Sequence, residues 1–339
     1  MQSKQKIFLF ILAAGLTFCG NLSYATSPRD DFKMSQIFSI DAGHSYVGFS
    51  IKYMGFAKVR GRFADFSGAI RYVDGDVTKT SATVIIKTVS LDTDHDFRDK
   101  DLKSANWFDA EKFPAIKFQS KRVENSASGT EVIGDLTIKD VTKEVRIKME
   151  GSSGVQKDIR DDTQIIFTGS TTIDRKVFGV MGENWSRVKE GMTAVASEVE
   201  IELSILGKQI NAPNFRNWVR NVETPQGKIY QTITTKGLTD GLREFDQLKA
   251  ASTQGLNENT LNTVGYMLLK EGKFDDALKV LVHNSASYPN DSNLFDSLAE
   301  GYAWKGDKTN AIKYYKMALE KDPLNANANA IEILRHLER

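Results

Sequence analysis

Residues 47–53 read Val-Gly-Phe-Ser-Ile-Lys-Tyr, with an apolar or aromatic side chain at every second position. Because successive side chains of a strand point to opposite faces, this alternation predicts a β-strand with one apolar face. Six further stretches alternate in the same way, separated by glycines or Asp/Asn clusters: residues 82–88, 116–120, 132–138, 145–149, 165–173 and 199–205. Strands at this density predict an antiparallel sheet closed on itself, a β-barrel over residues 37–206. Within it, only residues 96–109 are expected to be helical.

The inward face of such a barrel supplies the candidate ligand-binding residues. A small eight-stranded barrel is either filled by its own side chains or holds one small ligand, and the alternation alone leaves both open. The residues predicted to line a cavity are Phe49, Ile51, Tyr53, Val84, Ile86, Phe118, Leu136, Ile138, Phe167, Ile173 and Phe178.

The composition excludes several classes of function. A chain of 339 residues is long enough for two domains. Its 45 basic and 44 acidic residues give a net charge of +1, which argues against a sequence-independent polyanion binder. Cys19 is the single cysteine, so an intrachain disulfide, a CxxC redox site and a cysteine-based zinc site are excluded.

Motifs for catalysis and for metals are missing from the barrel half. It contains no HExxH, no GxSxG and no P-loop. We therefore predict a protein that is not an enzyme and that has no metal and no cofactor. The acidic run from Asp92 to Asp96 lacks the glycine and the final glutamate of an EF-hand loop. A solvated loop beside a helix cap is the expected interpretation, with ion binding left open.

Residues 1–25 have the form of a secretory signal peptide. Two lysines precede an apolar run that is too short to span a bilayer comfortably. Ala25 ends a short segment with small residues that is typical of a signal-peptide cleavage site. Phe18 occupies the position before Cys19, where a lipoprotein signal requires a small side chain, so a lipid anchor is disfavoured. We expect a periplasmic or secreted protein that does not span a membrane after the signal is cleaved.

Short motifs in a fixed order resemble those of the YceI family. They are IDAGHSYVGF at 40–49, GRFADFSG at 61–68, LKSANWF at 102–108, FPAIKF at 113–118, GDLTI at 134–138 and IDR at 173–175. The resemblance covers nearly all of residues 37–206. It implies a lipocalin-like antiparallel barrel, exported in bacteria, whose members hold a polyisoprenoid or a similar amphiphilic chain. Tyr53 departs from the family, which often has a histidine in this strand.

Four polar residues of these motifs are candidates for the mouth of the barrel, namely His44, Arg98, Asp99 and Arg175. As structural groups they would form hydrogen bonds at strand and helix ends, with Arg98–Asp99 and Asp174–Arg175 as ion pairs. As binding groups the two arginines would meet a polar or phosphate headgroup, because a guanidinium fork suits oxyanions.

The second half of the chain has a helical pattern. Residues 207–236 carry five basic residues and one acid, which predicts a basic linker with a short strand at 229–233. In residues 237–339, an offset of 34 aligns Gly272 with Gly306 and Ala277 with Ala311. This period resembles the tetratricopeptide repeat. The predicted repeats are 258–291 and 292–325, followed by a closing helix at 326–337, and Asn284 departs from the alanine that the family prefers.

The resemblance implies that the repeats dock an unknown protein partner. Two repeats are fewer than the about three that bury a continuous core, so we expect flanking helices or packing on the barrel to complete them. We also expect the two halves to unfold separately. The candidate partner-binding residues on the inner helix faces are Asn259, Asn262, Tyr266, Asn293, Asp296 and Glu300. The alternative is that these positions are ordinary solvent-exposed helix faces.

The leading hypothesis is therefore an exported binding protein, with an amphiphilic lipid-like ligand in the barrel and a protein partner on the repeats. A second hypothesis is an envelope scaffold with a solid barrel and no ligand. A third, a hydrolase or isomerase acting on a lipid, has only His44, Asp99 and Arg175 to support it.

Overall fold

A computed structural model describes residues 33–339, apart from 128, 160, 186–187, 190–191, 211–218 and 323–326. The predicted signal peptide lies outside the described residues. The strands are β1 Ile37–Ile40, β2 Tyr46–Tyr53, β3 Ala57–Phe63, β4 Phe66–Arg71, β5 Ser81–Lys87, β6 Leu91–Asp92, β7 Ala115–Ser126, β8 Gly129–Ile138, β9 Val141–Ser152, β10 Gln156–Lys157, β11 Thr163–Asp174, β12 Val188–Lys189, β13 Met192–Thr193 and β14 Val195–Gln209.

Eight of the described strands close into an antiparallel ring, in the order β14-β11-β9-β8-β7-β5-β4-β1 and back to β14. The closing strand β14 is 15 residues long, and its residues 198–208 pair with β11. Its first half also pairs with β2, where Ile201 faces Phe49, and its end pairs with β1. Strands β3 and β6 continue the sheet beyond β2. The predicted antiparallel barrel is confirmed.

The period-two pattern places the apolar residues inside the barrel. In β11, Ile165, Phe167 and Ile173 belong to one buried cluster that spans the barrel interior. Gly169 stands where β9 shifts its register against β11, and a Cβ there would lie 2.8 Å from the carbonyl oxygen of Lys148. Only glycine allows the two backbones to approach so closely.

The second half is helical, which confirms the predicted combination of a β domain and an α domain. The helices after α1 (Asp96–Lys103) are α2 Pro225–Lys236, α3 Leu238–Ala250, α4 Glu258–Lys270, α5 Phe274–Ser287, α6 Ser292–Lys305, α7 Lys308–Lys321 and α8 Ala328–Leu337.

The short strand expected at 229–233 is wrong, because these residues belong to α2. The hydroxyl of Thr224 accepts a hydrogen bond from the backbone N–H of Gly227 and caps the helix, and Pro225 occupies its first turn. Ile229 and Ile233 lie four residues apart and are both buried against the neighbouring helices. Helical capping and packing override the strand preference of the β-branched residues.

Helix ends in the second half recur with the 34-residue period. Helices α4 and α6 begin at residues 258 and 292, and α5 and α7 end at residues 287 and 321. Ala277 and Ala311 are fully buried, as expected where helices approach closely. Asn284 is also fully buried, and its side-chain amide donates to the carbonyl of Glu258 at 2.8 Å. That bond ties the end of α5 to the start of α4 and accounts for an asparagine at this position.

Helix α8 packs on the outside of the barrel, against β1, β4 and β5. Ile37 and Ala69 of the barrel share one buried cluster with Ile333 and Leu337 of α8 and with Tyr315 of α7. Barrel and helices therefore form one compact unit within the described residues 33–339. Among the described residues, none of the helices combines the length and the apolar character that crossing a bilayer requires.

Candidate functional site: the barrel cavity

The barrel encloses a cavity of about 910 Å³. The wall is formed by inward-facing residues of β2, β5, β7, β8, β9, β11 and β14. The apolar residues that alternate in the sequence are therefore the ones that line the cavity. Ten of the eleven predicted residues lie at this wall: Phe49, Ile51, Tyr53, Val84, Ile86, Phe118, Leu136, Ile138, Phe167 and Ile173.

Phe178 is not at the cavity wall. It ends the short 3₁₀ turn Arg175–Phe178, where the chain leaves β11 and the period-two pattern stops, and its side chain is buried in the surrounding core. The prediction did not include the inward residues of β9 and β14, although the same pattern marks them. These additional wall residues are Val145, Ile147, Met149, Val199, Ile201, Leu203 and Ile205.

The cavity reaches the protein surface beside α1. Phe97 of α1 lines the cavity while 85% of its surface is exposed, and Trp185, also at the wall, is 42% exposed. His95 caps α1, accepting a hydrogen bond from the backbone N–H of Arg98 at 3.3 Å, and is exposed as well. An opening rimmed by these residues gives a ligand a route into the barrel.

Arg175 lies buried at this end of the cavity. Its guanidinium donates to the carbonyls of Val180 and Met181, both at 2.6 Å, and to that of Ala196 at 2.8 Å. The group also stacks over Trp107, 5.0 Å from the ring centroid. Burial lowers the pKa of Arg175 below its ordinary value, while nearby Asp174 acts in the opposite direction. The residue ties the segment that follows β11 to the start of β14, and it places a positive charge at the wall.

Arg98 and Asp99 both bind Thr93 and do not form the ion pair that was expected. Arg98 donates to the hydroxyl of Thr93 at 2.8 Å and to its carbonyl at 2.7 Å. The carboxylate of Asp99 accepts from the backbone N–H of Thr93 at 3.0 Å. Thr93 therefore anchors α1 to the barrel, with Arg98 at the cavity wall and Asp99 away from it.

Asp101 is a wall residue that the sequence patterns did not reveal. One of its carboxylate oxygens accepts hydrogen bonds from the indole N–H of Trp107 at 3.0 Å and from that of Trp185 at 3.1 Å. Trp185 lies 84 positions away in the chain, so no local spacing predicts this contact. The shared carboxylate fixes both aromatic rings at the mouth.

His44 lies outside the cavity wall, and its side chain is 70% exposed. Its Nδ1 is 3.0 Å from the carboxylate of Asp41, which also pairs with Lys208 at 2.8 Å. The hydrogen bond from Lys208 is the main cause that lowers the pKa of Asp41. His44, Asp99 and Arg175 are thus held apart by separate partners, and the structure does not bring them together as a catalytic set.

The acidic run from Asp92 to Asp96 forms a loop organised by its own hydrogen bonds. Asp92 accepts from the backbone N–H of Asp94 at 3.0 Å and pairs with Arg62 at 3.2 Å, and these bonds lower its pKa. Within the part of the chain that the structure describes, no group of three or more acidic, histidine or cysteine side chains is arranged to hold a metal ion.

The predicted partner-binding residues divide into two sets. Asn259 and Asn293 are exposed and Asn262 is half-buried, whereas Tyr266, Asp296 and Glu300 are buried. The hydroxyl of Tyr266 donates to Glu300 at 2.5 Å. Burial and the neighbouring Glu300 raise the pKa of Asp296 well above its ordinary value, and burial also raises that of Glu300. The second set is therefore part of the protein interior.

Comparisons with known proteins agree with this barrel. The model of the YceI-like domain matches residues 38–206. A UPF0312 protein of Pseudomonas aeruginosa is 31% identical over 177 residues, which cover 52% of this chain and 86% of that protein.

Two solved structures also align with the barrel half. BcnA of Burkholderia cenocepacia has 25% identity and a TM-score of 0.42, covering 49% of this chain and 98% of that chain. A polyisoprenoid-binding domain of Saccharophagus degradans has 16% identity and a TM-score of 0.39, and the alignment covers 51% of this chain and 98% of that domain. By the family match and the identity to its relatives, the chain belongs to the YceI-like family through residues 38–206.

Proposed function

We propose that this chain is an exported binding protein whose barrel holds one amphiphilic, lipid-like molecule such as a polyisoprenoid. The observation that carries the proposal is the cavity of about 910 Å³ with an apolar wall that opens beside α1. Ligand pockets of small molecules have volumes of about 300–1,000 Å³, so this cavity has the size of a ligand site.

Burial of an apolar chain supplies the binding free energy, at about 0.8 kcal/mol for each CH₂ group removed from water. Three charged residues of the wall, Arg98, Asp101 and Arg175, lie at the end of the cavity beside α1. An amphiphile therefore binds with its chain inside the barrel and its polar end toward α1. That orientation keeps the polar end close to water and to hydrogen-bonding groups.

We propose binding without chemical conversion. Asp101 is occupied by two indoles and the guanidinium of Arg175 by backbone carbonyls, so neither is poised beside a base or a nucleophile. The runner-up function is a scaffold with an unliganded barrel, in which the helices alone act. In either case, helices α4–α7 are proposed to dock a protein partner, with the exposed Asn259 and Asn293 on their accessible faces.

The cavity is tested with two neighbouring residues of β14. Leu203 lines the cavity, while Glu202 is exposed on the outer face of the barrel. The Leu203→Trp variant should narrow the cavity, and the Glu202→Trp variant adds the same side chain outside it. Titration of the full chain with a dansyl-labelled farnesyl probe should show binding to the native chain and to Glu202→Trp. Loss of binding only in Leu203→Trp supports a ligand in the barrel, and equal binding by both variants contradicts it.

A further inference from the structure

Strand β5 separates the cavity from the C-terminal helix. Ala82, Val84 and Ile86 of β5 line the cavity. The alternate residues face outward, where Thr83 hydrogen-bonds to α8 and Ile85 packs in a cluster with the first residue of α8. A single layer of backbone therefore lies between a bound ligand and α8.

A buried carboxylate fastens α8 to this strand. The carboxylate of Glu332 is fully buried and accepts hydrogen bonds from the hydroxyl of Thr83 at 2.7 Å and from that of Ser81. His336 Nε2 lies 2.9 Å from the same carboxylate. Burial acts to raise the pKa of Glu332, but the hydrogen bonds of His336, Ser81 and Thr83 outweigh it and the pKa is lowered. If the barrel hydroxyls move away, the buried carboxylate loses two of its hydrogen bonds and is left with its contacts within α8.

The same helix completes the helical domain. Ile333 and Leu334 of α8 belong to one buried cluster with Ala299 of α6 and with Ala311 and Tyr315 of α7. Helix α8 thus has one face on the outer side of β5 and another in the core of the helical array. Close-packed interiors transmit small displacements because they contain little free space.

We propose that α8 couples occupancy of the barrel cavity to the helical array, so that a ligand pressing on β5 changes how α8 and α7 are held. The inference rests on the proposed function, because the natural ligand that would press on β5 is the lipid-like molecule proposed there. Coupling of this kind is reciprocal: a partner that binds the array then changes the affinity of the barrel for its ligand by the same factor. Typical couplings between sites change affinity about 5- to 150-fold.

The test measures hydrogen exchange and probe affinity in the full chain. Binding of the dansyl-farnesyl probe should change amide exchange in residues 328–337 and 308–321. The Thr83→Val variant removes one hydrogen bond to Glu332 with little change in volume, and Glu332→Ala removes the acceptor. Both should shift the Kd of the probe by at least about fivefold. The control Arg339→Ala, beyond the end of α8 and exposed, should leave the Kd unchanged.

The inference is overturned if the probe binds while exchange in α8 and α7 stays the same and all variants have the native Kd. If the probe does not bind to the native chain, the proposed carrier function fails, and the coupling is judged from Leu203→Trp, which presses on the inside of the barrel wall without a ligand. Altered exchange of residues 328–337 in Leu203→Trp but not in Glu202→Trp then supports the coupling. Unchanged exchange in both overturns it.

Discussion

Thr83 donates a hydrogen bond of 2.7 Å to Glu332, which lies 249 positions further along the chain. This bond joins the wall of the barrel to the C-terminal helix and changes the expectation that the two halves unfold separately. Because α8 belongs to the buried clusters of both halves, we now expect a cooperative unit.

The Ala311→Leu variant tests this cooperativity. Ala311 is fully buried among residues of α8 and of the barrel, so a larger side chain should overpack the cluster and destabilise it by about 1–3 kcal/mol. The measurement is urea unfolding followed by far-ultraviolet circular dichroism and by hydrogen exchange of barrel peptides. Both midpoints should shift together, and Lys313→Leu, which is exposed on the same helix, should leave them in place. A shift of the helical signal alone would show that the halves are independent.

The Glu332→Gln variant should flatten the stability profile at acid pH. The folded-state pKa of Glu332 is lowered below the ordinary value of 4.5, so its contribution is present above pH 4.5 and is lost as pH falls through the folded pKa. Unfolding free energies from urea titrations at pH 3–7 should fall more steeply with acid in the native chain than in the variant. Identical profiles would mean that the carboxylate does not stabilise the interface.

The Asp296→Asn variant should act in the opposite direction. Burial and Glu300 raise the folded-state pKa of Asp296 well above 3.8, so stability decreases as pH rises from that value through the folded pKa. The neutral amide should therefore stabilise the chain at neutral pH and reduce this part of the pH dependence. Thermal unfolding at pH 4 and pH 7.5 measures the effect, with the exposed Glu320→Gln as the control. Lower stability of Asp296→Asn at pH 7.5 would contradict the assignment.

The Arg175→Lys variant separates charge from geometry. Lysine keeps the positive charge but cannot reach the carbonyls of Val180, Met181 and Ala196 together. We expect a loss of about 1–3 kcal/mol in unfolding free energy, because the buried lysine replaces only part of the hydrogen bonds that Arg175 makes. Urea unfolding provides the measurement. Native stability in Arg175→Lys would show that the charge alone matters at this position.

The period-two pattern predicted the barrel well because the interior of a barrel repeats the same environment at each inward position. Phe49 and Phe167 lie at the wall for that reason. The pattern does not extend into turns, and Phe178 lies in one.

Contacts between segments that are distant in the sequence could not be predicted, because local sequence patterns carry no information about them. Asp101 accepts a hydrogen bond from Trp185, which is distant in the sequence. Asp296 and Glu300 are buried because neighbouring helices of the folded array cover them. The helical repeat was visible as a 34-residue period, but the docking of α8 on β5 was only one of two alternatives. In the structure both occur, because α2 packs against α4 and α3 against α5, while α8 packs on the barrel.

Native mass spectrometry of the full chain tests the central claim most directly. The account predicts one amphiphilic molecule per chain after gentle purification, its removal by organic extraction, and the return of the same mass shift when a long-chain prenyl alcohol is added. A chain that is recovered without a ligand, and that takes up neither prenyl nor acyl chains after extraction, would contradict the proposal that the barrel is a lipid-binding site.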